Sequence, residues 1–315
     1  MSSDSIAINV KGLKKSYKGV SVLNDVNFTI ESGTIFSLLG SNGAGKTTTI
    51  KALTTLIKPD DGDISICGYD VIKQSYKVHE VISLTGQFSA VDETLTGFEN
   101  LVIIGKLHHL RKPKERANEL LSYFDLTHSS NRLVSTYSGG MRRKLDIAMS
   151  LINSPTVLFL DEPTTGLDPQ SRHNMWDIIR DLKKSGTTIF LTTQYLEEAE
   201  QLADNIAILD KGEIIVEGTL NDLKKLLPQE KVEFIFPTEQ EFKKAISLLI
   251  GYKVIPHSES NRLTVYTCEA INVLTKLFQL FTSHNIDIKD FSRKSPSLED
   301  VFLTLIGEKE ALANG

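Results

Sequence analysis

Apolar residues follow two periods along this chain. From the start to about Leu220, short β-rich apolar runs alternate with stretches whose apolar residues recur every three or four positions. That alternation predicts an α/β domain around a buried sheet. "TIFSLLG" (34–40), "TVLFLDEP" (156–163) and "TTIFLTT" (187–193) are continuous apolar runs, as expected of strands covered on both faces. Residues 47–57 read as a helix with Ile50, Leu53 and Ile57 on one face. Residues 94–135 read as a mostly helical insertion, with Leu101, Val102, Ala117, Leu120, Leu121 and Phe124 at helical spacing. The basic run "RKPKER" (111–116) inside it reads as a solvated turn between helices rather than an anion site.

The proline of "LLPQEK" (226–231) marks a boundary. Beyond it the expected order is strand (232–236), helix (239–250), strand (252–256), strand (262–267), helix (270–284) and strand (286–291). This βαββαβ order predicts a small α+β, ferredoxin-like domain. A last helix follows "SPSLED", with Ser295 as its cap, Pro296 at its first position and Glu299 and Asp300 near its positive end.

Composition narrows the class. The chain has 315 residues, 40% apolar and 24% charged, with a formal net charge of −5. Those values fit one large or two ordinary soluble domains and disfavour a nucleic-acid partner. Cys67 and Cys268 match no metal or redox spacing and read as reduced thiols of a cytosolic protein. No secretory pattern opens the chain, and no apolar run approaches the ~18 residues of a membrane span. Any membrane process it serves would need spans from another chain.

The chemistry begins at "GSNGAGKTT", where Gly40, Ser41, Asn42, Gly43, Ala44, Gly45, Lys46, Thr47 and Thr48 fit G-x-x-x-x-G-K-[ST] between a strand and a helix. The glycines let successive N–H groups point at phosphate oxygens, and the helix start adds its dipole. Lys46 supplies a mobile charge for the β- and γ-phosphates, and the Thr47 hydroxyl is a hard ligand for Mg²⁺. In "VLFLDEPTTGLDP", Asp161 and Glu162 end a buried strand. Phosphoryl transfer asks for positioning and charge stabilisation, so one carboxylate for the metal and one for the attacking water suit it. Asp161 is expected to hold Mg²⁺ through water and Glu162 to orient and deprotonate the nucleophile. Asp168 and Pro169 also read as a helix cap and first residue.

"YSGGMRRKLDIA" (137–148) places Ser138, Gly139 and Gly140 at a helix start, a second anion site. Met141, Leu145, Ala148, Met149 and Ile152 give that helix a buried face. The stretch resembles the signature motif of ABC-type ATPases, with SGGM for the commoner SGGQ. The resemblance implies a P-loop, ABC-type nucleotide-binding domain over residues 1–222, with a helical subdomain at about 88–155 and an accessory domain at 223–315. It implies ATP and Mg²⁺ as cofactors. It also implies a head-to-tail dimer, in which each signature serine meets the γ-phosphate held by the other subunit. By position, Tyr17 matches the aromatic that stacks on adenine. Gln87 matches the glutamine that contacts metal and water and senses the membrane partner. Asp168 matches the aspartate that crosses the dimer interface. "TGQFSAVDETLTGFENL", "TTQYLEEAEQLAD" and "SPSLEDVFLTLIG" are similar to the daunorubicin-resistance type of ATP-binding subunit. Those serve bacterial exporters with a separately encoded permease, which implies a peripheral place on the cytoplasmic membrane face.

The family's switch histidine is replaced here by Gln194. An amide can donate the same hydrogen bond to a γ-phosphate but cannot exchange a proton near neutral pH. If Glu162 is the base, donation suffices and turnover is intact. Otherwise the site is slow, or Gln194 is structural. Two rival functions stand beside the exporter subunit: a soluble ABC ATPase without a transporter, and a nucleotide-dependent regulator. A single phosphate loop and no sustained heptads oppose the first, and Glu162 opposes the second.

Overall fold

In a computed structural model, the described residues are 6–226, 230–249, 251–267, 270–294 and 296–313, with side chains undescribed at 230, 270–272, 294 and 306–313. The chain divides into two compact units between Leu220 and Asn221.

The first unit opens with long antiparallel strands β1 (Ile6–Tyr17) and β2 (Val20–Glu31). Then come β3 (Ile35–Leu39), helix α1 (Lys46–Leu53), β4 (Asp61–Ile66), β5 (Tyr69–Asp70), α2 (Ser75–Val81) and β6 (Ile82–Thr85). A helical segment follows: α3 (Gly97–Leu107), α4 (Pro113–Tyr123) and α5 (Gly139–Ser150). The remainder is β7 (Val157–Asp161), α6 (Pro169–Lys184), β8 (Thr188–Thr193), α7 (Leu196–Leu202), β9 (Asn205–Asp210) and β10 (Glu213–Gly218). The short helix α8 (Leu220–Lys225) comes next.

One sheet has the order β2-β1-β4-β5, and the central sheet has β10-β9-β3-β8-β7-β6. Pairing is parallel from β9 through β6, and β10 adds an antiparallel edge. The central strands read as unbroken apolar runs because successive residues enter different cores. Leu158, Leu160, Ile189 and Leu191 pack with α5 and α6, while Phe36, Val157, Phe159 and Phe190 pack toward β1 and β2. Phe28, Phe36, Phe159 and Phe190 form a continuous aromatic stack with centroid spacings of 5.1–5.9 Å. In α/β sheets of this kind, ligands bind beyond the carboxyl ends of the strands. The phosphate loop after β3 and the acidic pair after β7 both lie there.

Two details of this unit differ from the sequence reading. Helix α1 stops at Leu53, because Thr55 takes a left-handed φ of 63°, so Ile57 lies past its end. Within "RKPKER", Pro113 opens α4, and Arg116 donates to the carbonyls of Leu151 (2.9 Å) and Ile152 (3.4 Å) and to the Ser154 hydroxyl (3.0 Å). The run is therefore partly a docking contact. Cys67 is a free, half-buried thiol, and Cys268 lies outside the described residues.

The second unit has β11 (Glu230–Ile235), α9 (Glu239–Leu248), β12 (Lys253–His257), β13 (Arg262–Thr267), α10 (Ala270–Ser283), β14 (Asp290–Lys294) and α11 (Leu298–Ala313). Its antiparallel sheet has the order β12-β13-β11-β14, a βαββαβ arrangement with Phe234, Phe236, Phe242 and Phe281 at its core. The last strand begins four residues later than the 286 expected. Ile286 is buried instead by the turn that ends α10, where its N–H donates to the Phe281 carbonyl at 3.0 Å. The cap of α11 is Ser297, whose hydroxyl accepts from Asp300 N at 3.2 Å while Asp300 accepts from Ser297 N at 3.0 Å. Pro296 precedes that cap, and Ser295 lies outside the described residues.

Candidate ATP-hydrolysis site

The phosphate loop can only be built tightly. Gly45 is the N-cap of α1 at φ 113°, a region closed to most side chains. A Cβ there would lie 2.7 Å from Leu23 Cδ2, and one at Gly40 would lie 2.4 Å from the Leu209 carbonyl oxygen. Lys46 is buried and folds back over the loop. Its Nζ donates to the carbonyls of Gly40 (2.8 Å) and Ser41 (3.1 Å) and lies 3.4 Å from Glu162 Oε1.

Strand β7 delivers the carboxylates. Thr192, on the adjacent β8, donates to Asp161 Oδ1 at 2.6 Å, and the Thr47 hydroxyl stands 3.4 Å from the same oxygen. Glu162 then turns sharply at φ 48°. A non-glycine residue held there costs roughly 1–3 kcal/mol and needs surrounding structure to enforce it. Its N–H donates to the Thr192 carbonyl (3.2 Å) and hydroxyl (3.1 Å), which fixes the turn. Its Oε2 accepts from Gln87 Nε2 and from the Thr165 hydroxyl, each at 3.2 Å. Lys46, Thr47, Gln87 and Glu162 line one cavity of about 320 Å³ with Val22 and Asn42.

These donors fit the groups implied. Thr47, Asp161 and Gln87 offer hard oxygens of the kind Mg²⁺ takes, one or two at a time, alongside water and phosphate. Among the described residues no group of three or more His, Cys, Asp or Glu gathers into a self-sufficient metal site. A metal here would therefore share phosphate oxygens.

Tyr17 and Gln194 are not among the residues that line this cavity. Tyr17 ends β1, is 44% exposed, and has Lys15 Nζ 5.5 Å from its ring centroid. Gln194 follows Thr193, whose carbonyl accepts from Gly40 N at 3.2 Å, so the segment before Gln194 is bonded to the first residue of the phosphate loop. Ser138, Gly139, Gly140 and Asp168 do not line this cavity. The Ser138 hydroxyl caps α5 by accepting from Met141 N at 3.2 Å, with Gly139 and Gly140 in the first turn. Asp168 caps α6, accepting from the Ser171 N–H at 3.0 Å and hydroxyl at 2.6 Å. Those bonds hold its carboxyl below the usual carboxylate range.

Among the buried polar residues that escaped the sequence reading are Arg143, Asp146, Thr192 and Glu198. Glu198, on α7, accepts from the Thr164 hydroxyl (2.8 Å) and Trp176 Nε1 (3.3 Å). Burial pushes its carboxyl up, against hydrogen bonds from Thr193, Thr164 and Trp176. For the two carboxylates the available signal was a charge among the inward-facing positions of an amphipathic helix, as with Glu198 beside Ala199 and Asp146 between Leu145 and Ile147.

The ABC transporter family profile matches residues 23–165. Over 306 residues the chain is 43% identical to the daunorubicin/doxorubicin resistance ATP-binding protein of Streptomyces peucetius, covering 96% of this chain and 92% of that one. This chain belongs to the ABC transporter family. The linearmycin resistance ATP-binding protein of Bacillus subtilis is 35% identical over 305 residues, covering 95% of this chain and 98% of that one. A solved ATP-binding subunit of an ABC transporter is 32% identical with a TM-score of 0.63, covering 70% of this chain and 92% of its own. An ATP-binding cassette solved as a dimer in a post-hydrolysis state with ADP and phosphate has a TM-score of 0.62 at 25% identity, covering 68% of this chain and 98% of its own. The chain is an ABC-type ATPase with the P-loop α/β fold.

Proposed function

We propose that this ABC ATPase hydrolyses ATP with Glu162 as the base and powers export of a drug, antibiotic or lipid-like compound through a separately encoded permease. The observation that carries the hydrolytic reading is Glu162, held between Lys46, Gln87 and Thr165 in the phosphate-loop cavity. Lys46 is placed to trade Glu162 for a γ-phosphate. Glu162 is then free to accept the proton of a water oriented by Gln87. A Mg²⁺ ion bound by Thr47, Gln87 and Asp161 would neutralise phosphate charge. Gln194 would donate to the γ-phosphate, Tyr17 would stack on adenine, and Ser138 and Asp168 would act across a head-to-tail dimer. The resistance proteins it resembles support the class of cargo.

Among the described residues no helix is long and apolar enough to cross a membrane, so the reading requires a membrane partner. A second cavity of about 380 Å³ supports a docking place at the cytoplasmic membrane face, lined by Leu56, His79, Ile104, His108 and Met149 and reaching Ala90 on the Gln87 segment. Phe88, beside Gln87, is 87% exposed. Co-expression with a polytopic membrane protein encoded beside this chain would test the assignment. Co-purification with ATP-dependent efflux, lost in Glu162→Gln, is expected. A chain that hydrolyses ATP fully but never co-purifies with a polytopic protein would refute the transport reading.

A further inference from the structure

Arg143 and Asp146 lie three residues apart on α5, and both are buried, at 7% and 5% exposure. A guanidinium taken out of water costs several kcal/mol unless its donors are met. Here they are met by main-chain carbonyls from two distant segments. Nε donates to Pro163 O (2.9 Å), Nη2 to Asp161 O (3.2 Å), and Nη1 to Gly86 O (2.6 Å) and Asp146 Oδ2 (3.2 Å). Asp146 Oδ1 accepts from Ala90 N at 3.2 Å. Burial pulls the Arg143 pKa down and pushes the Asp146 carboxyl up, and each charge offsets the shift in the other.

The choice of acceptors is informative. Asp161 and Pro163 flank Glu162 on either side. Gly86 precedes Gln87, and Ala90 closes the same loop. One buried ion pair therefore holds both ends of the segment carrying Gln87 and both neighbours of Glu162. It does so from the helix whose first turn carries Ser138, Gly139 and Gly140.

We propose that Arg143, oriented by Asp146, is a positioning residue for hydrolysis: it sets the Gln87–Glu162 register and couples it to movement of the signature helix within the same chain. The inference rests on the roles given above to Gln87 and Glu162. A rotation of α5 would either carry Gly86, Asp161 and Pro163 with it or break their bonds to Arg143, because all three bond to one planar group. Lysine cannot reproduce that fork.

The test is Arg143→Lys in the full chain, with Asp146→Asn as the second variant should lysine compromise folding. We expect kcat for ATP to fall roughly 10–100-fold with KM within about threefold, as for a catalytic pair displaced by about 1 Å. Hydrogen exchange should quicken at 86–90 and 161–164 and stay unchanged in α1. In a Gln87→Ala background the loss should shrink, since acting through Gln87 makes the two changes non-additive. Wild-type kcat with a lowered melting temperature, unchanged exchange at 86–90, or an equal loss in both backgrounds would overturn the proposal. Glu162→Gln run in parallel keeps the two ideas separate. Wild-type turnover there sinks the base assignment, while the exchange measurement still reports on the clamp.

Discussion

Replacing Glu162 by glutamine should change binding and turnover in opposite directions. Lys46 Nζ and Glu162 Oε1 are 3.4 Å apart and both residues are buried. At an effective dielectric of ~20, a pair at that distance attracts by about 5 kcal/mol before desolvation is subtracted. A γ-phosphate entering the loop must take Lys46 from this carboxylate and then lie beside its negative charge. Glutamine removes both penalties and keeps an oxygen for the Thr165 hydroxyl. If only a fraction near 1.4 kcal/mol survives screening and relaxation, ATP should bind about tenfold tighter. Turnover should fall by about 10²–10⁴, because the amide cannot accept the proton of the attacking water. Binding of a fluorescent ATP analogue and steady-state phosphate release on the full chain measure the two halves. Weaker nucleotide binding, or turnover within a fewfold of wild type, would refute the reasoning.

Three further outcomes are expected. Gln194→Ala should lower kcat by about 10²–10³ while Gln194→His stays within a fewfold of wild type, as for loss and retention of one γ-phosphate donor; alanine at the wild-type rate in a phosphate-release assay would exclude the donor role. Thr192→Val should cost about 1–3 kcal/mol in a chemical melt, because the hydroxyl that donates to Asp161 and accepts from Glu162 N is buried and cannot be replaced by a methyl. Glu198→Gln should become progressively more stable than wild type as pH rises through and above the usual carboxylate range, because a carboxyl raised by burial contributes stability below its unfolded pKa and loses it as pH climbs toward the folded one; a Tm difference independent of pH between 5 and 8 would count against it.

The strands that carry the site were legible because physics gives them little choice. β3, β7 and β8 are covered on both faces, so each appears as a continuous apolar run ending at a chemical motif. The phosphate loop was legible for a related reason: Gly40 and Gly45 occupy places where a Cβ would collide. What escaped were polar groups whose partners are main-chain atoms far along the chain. Arg143 looks like any cation on a solvated helix face until β7 and the Gln87 segment are brought against it. Thr192 looks like one more β-branched residue of a strand. The late start of β14 has the opposite cause. Ile286 has the apolarity of a strand residue but is buried by a helix-ending turn, whereas Asp290–Lys294 pairs with β11 through its backbone although only Phe291 in it is apolar.

Gln194, proposed above as a γ-phosphate donor, is where the readings of a missing histidine part. Its place is fixed by its neighbours rather than by its own side chain. The Thr193 carbonyl accepts from Gly40 N, the Thr193 hydroxyl accepts from Tyr195 N at 2.9 Å, and the Tyr195 ring lies 5.1 Å from the Arg172 guanidinium of α6. An amide and an imidazole at this position would therefore differ in what they donate or exchange, not in where the segment sits. Glu162, for its part, is surrounded by an ammonium, an amide and a hydroxyl, with no imidazole among them. As the proposed base, Glu162 would take the proton of its water without a second titrating group. In the proposed role, Gln194 would then need only to recognise the γ-phosphate. A glutamine, which donates whatever the pH, should make that recognition flat across the range in which a histidine would titrate, and the pH profile of kcat in Gln194→His against wild type would reveal the difference.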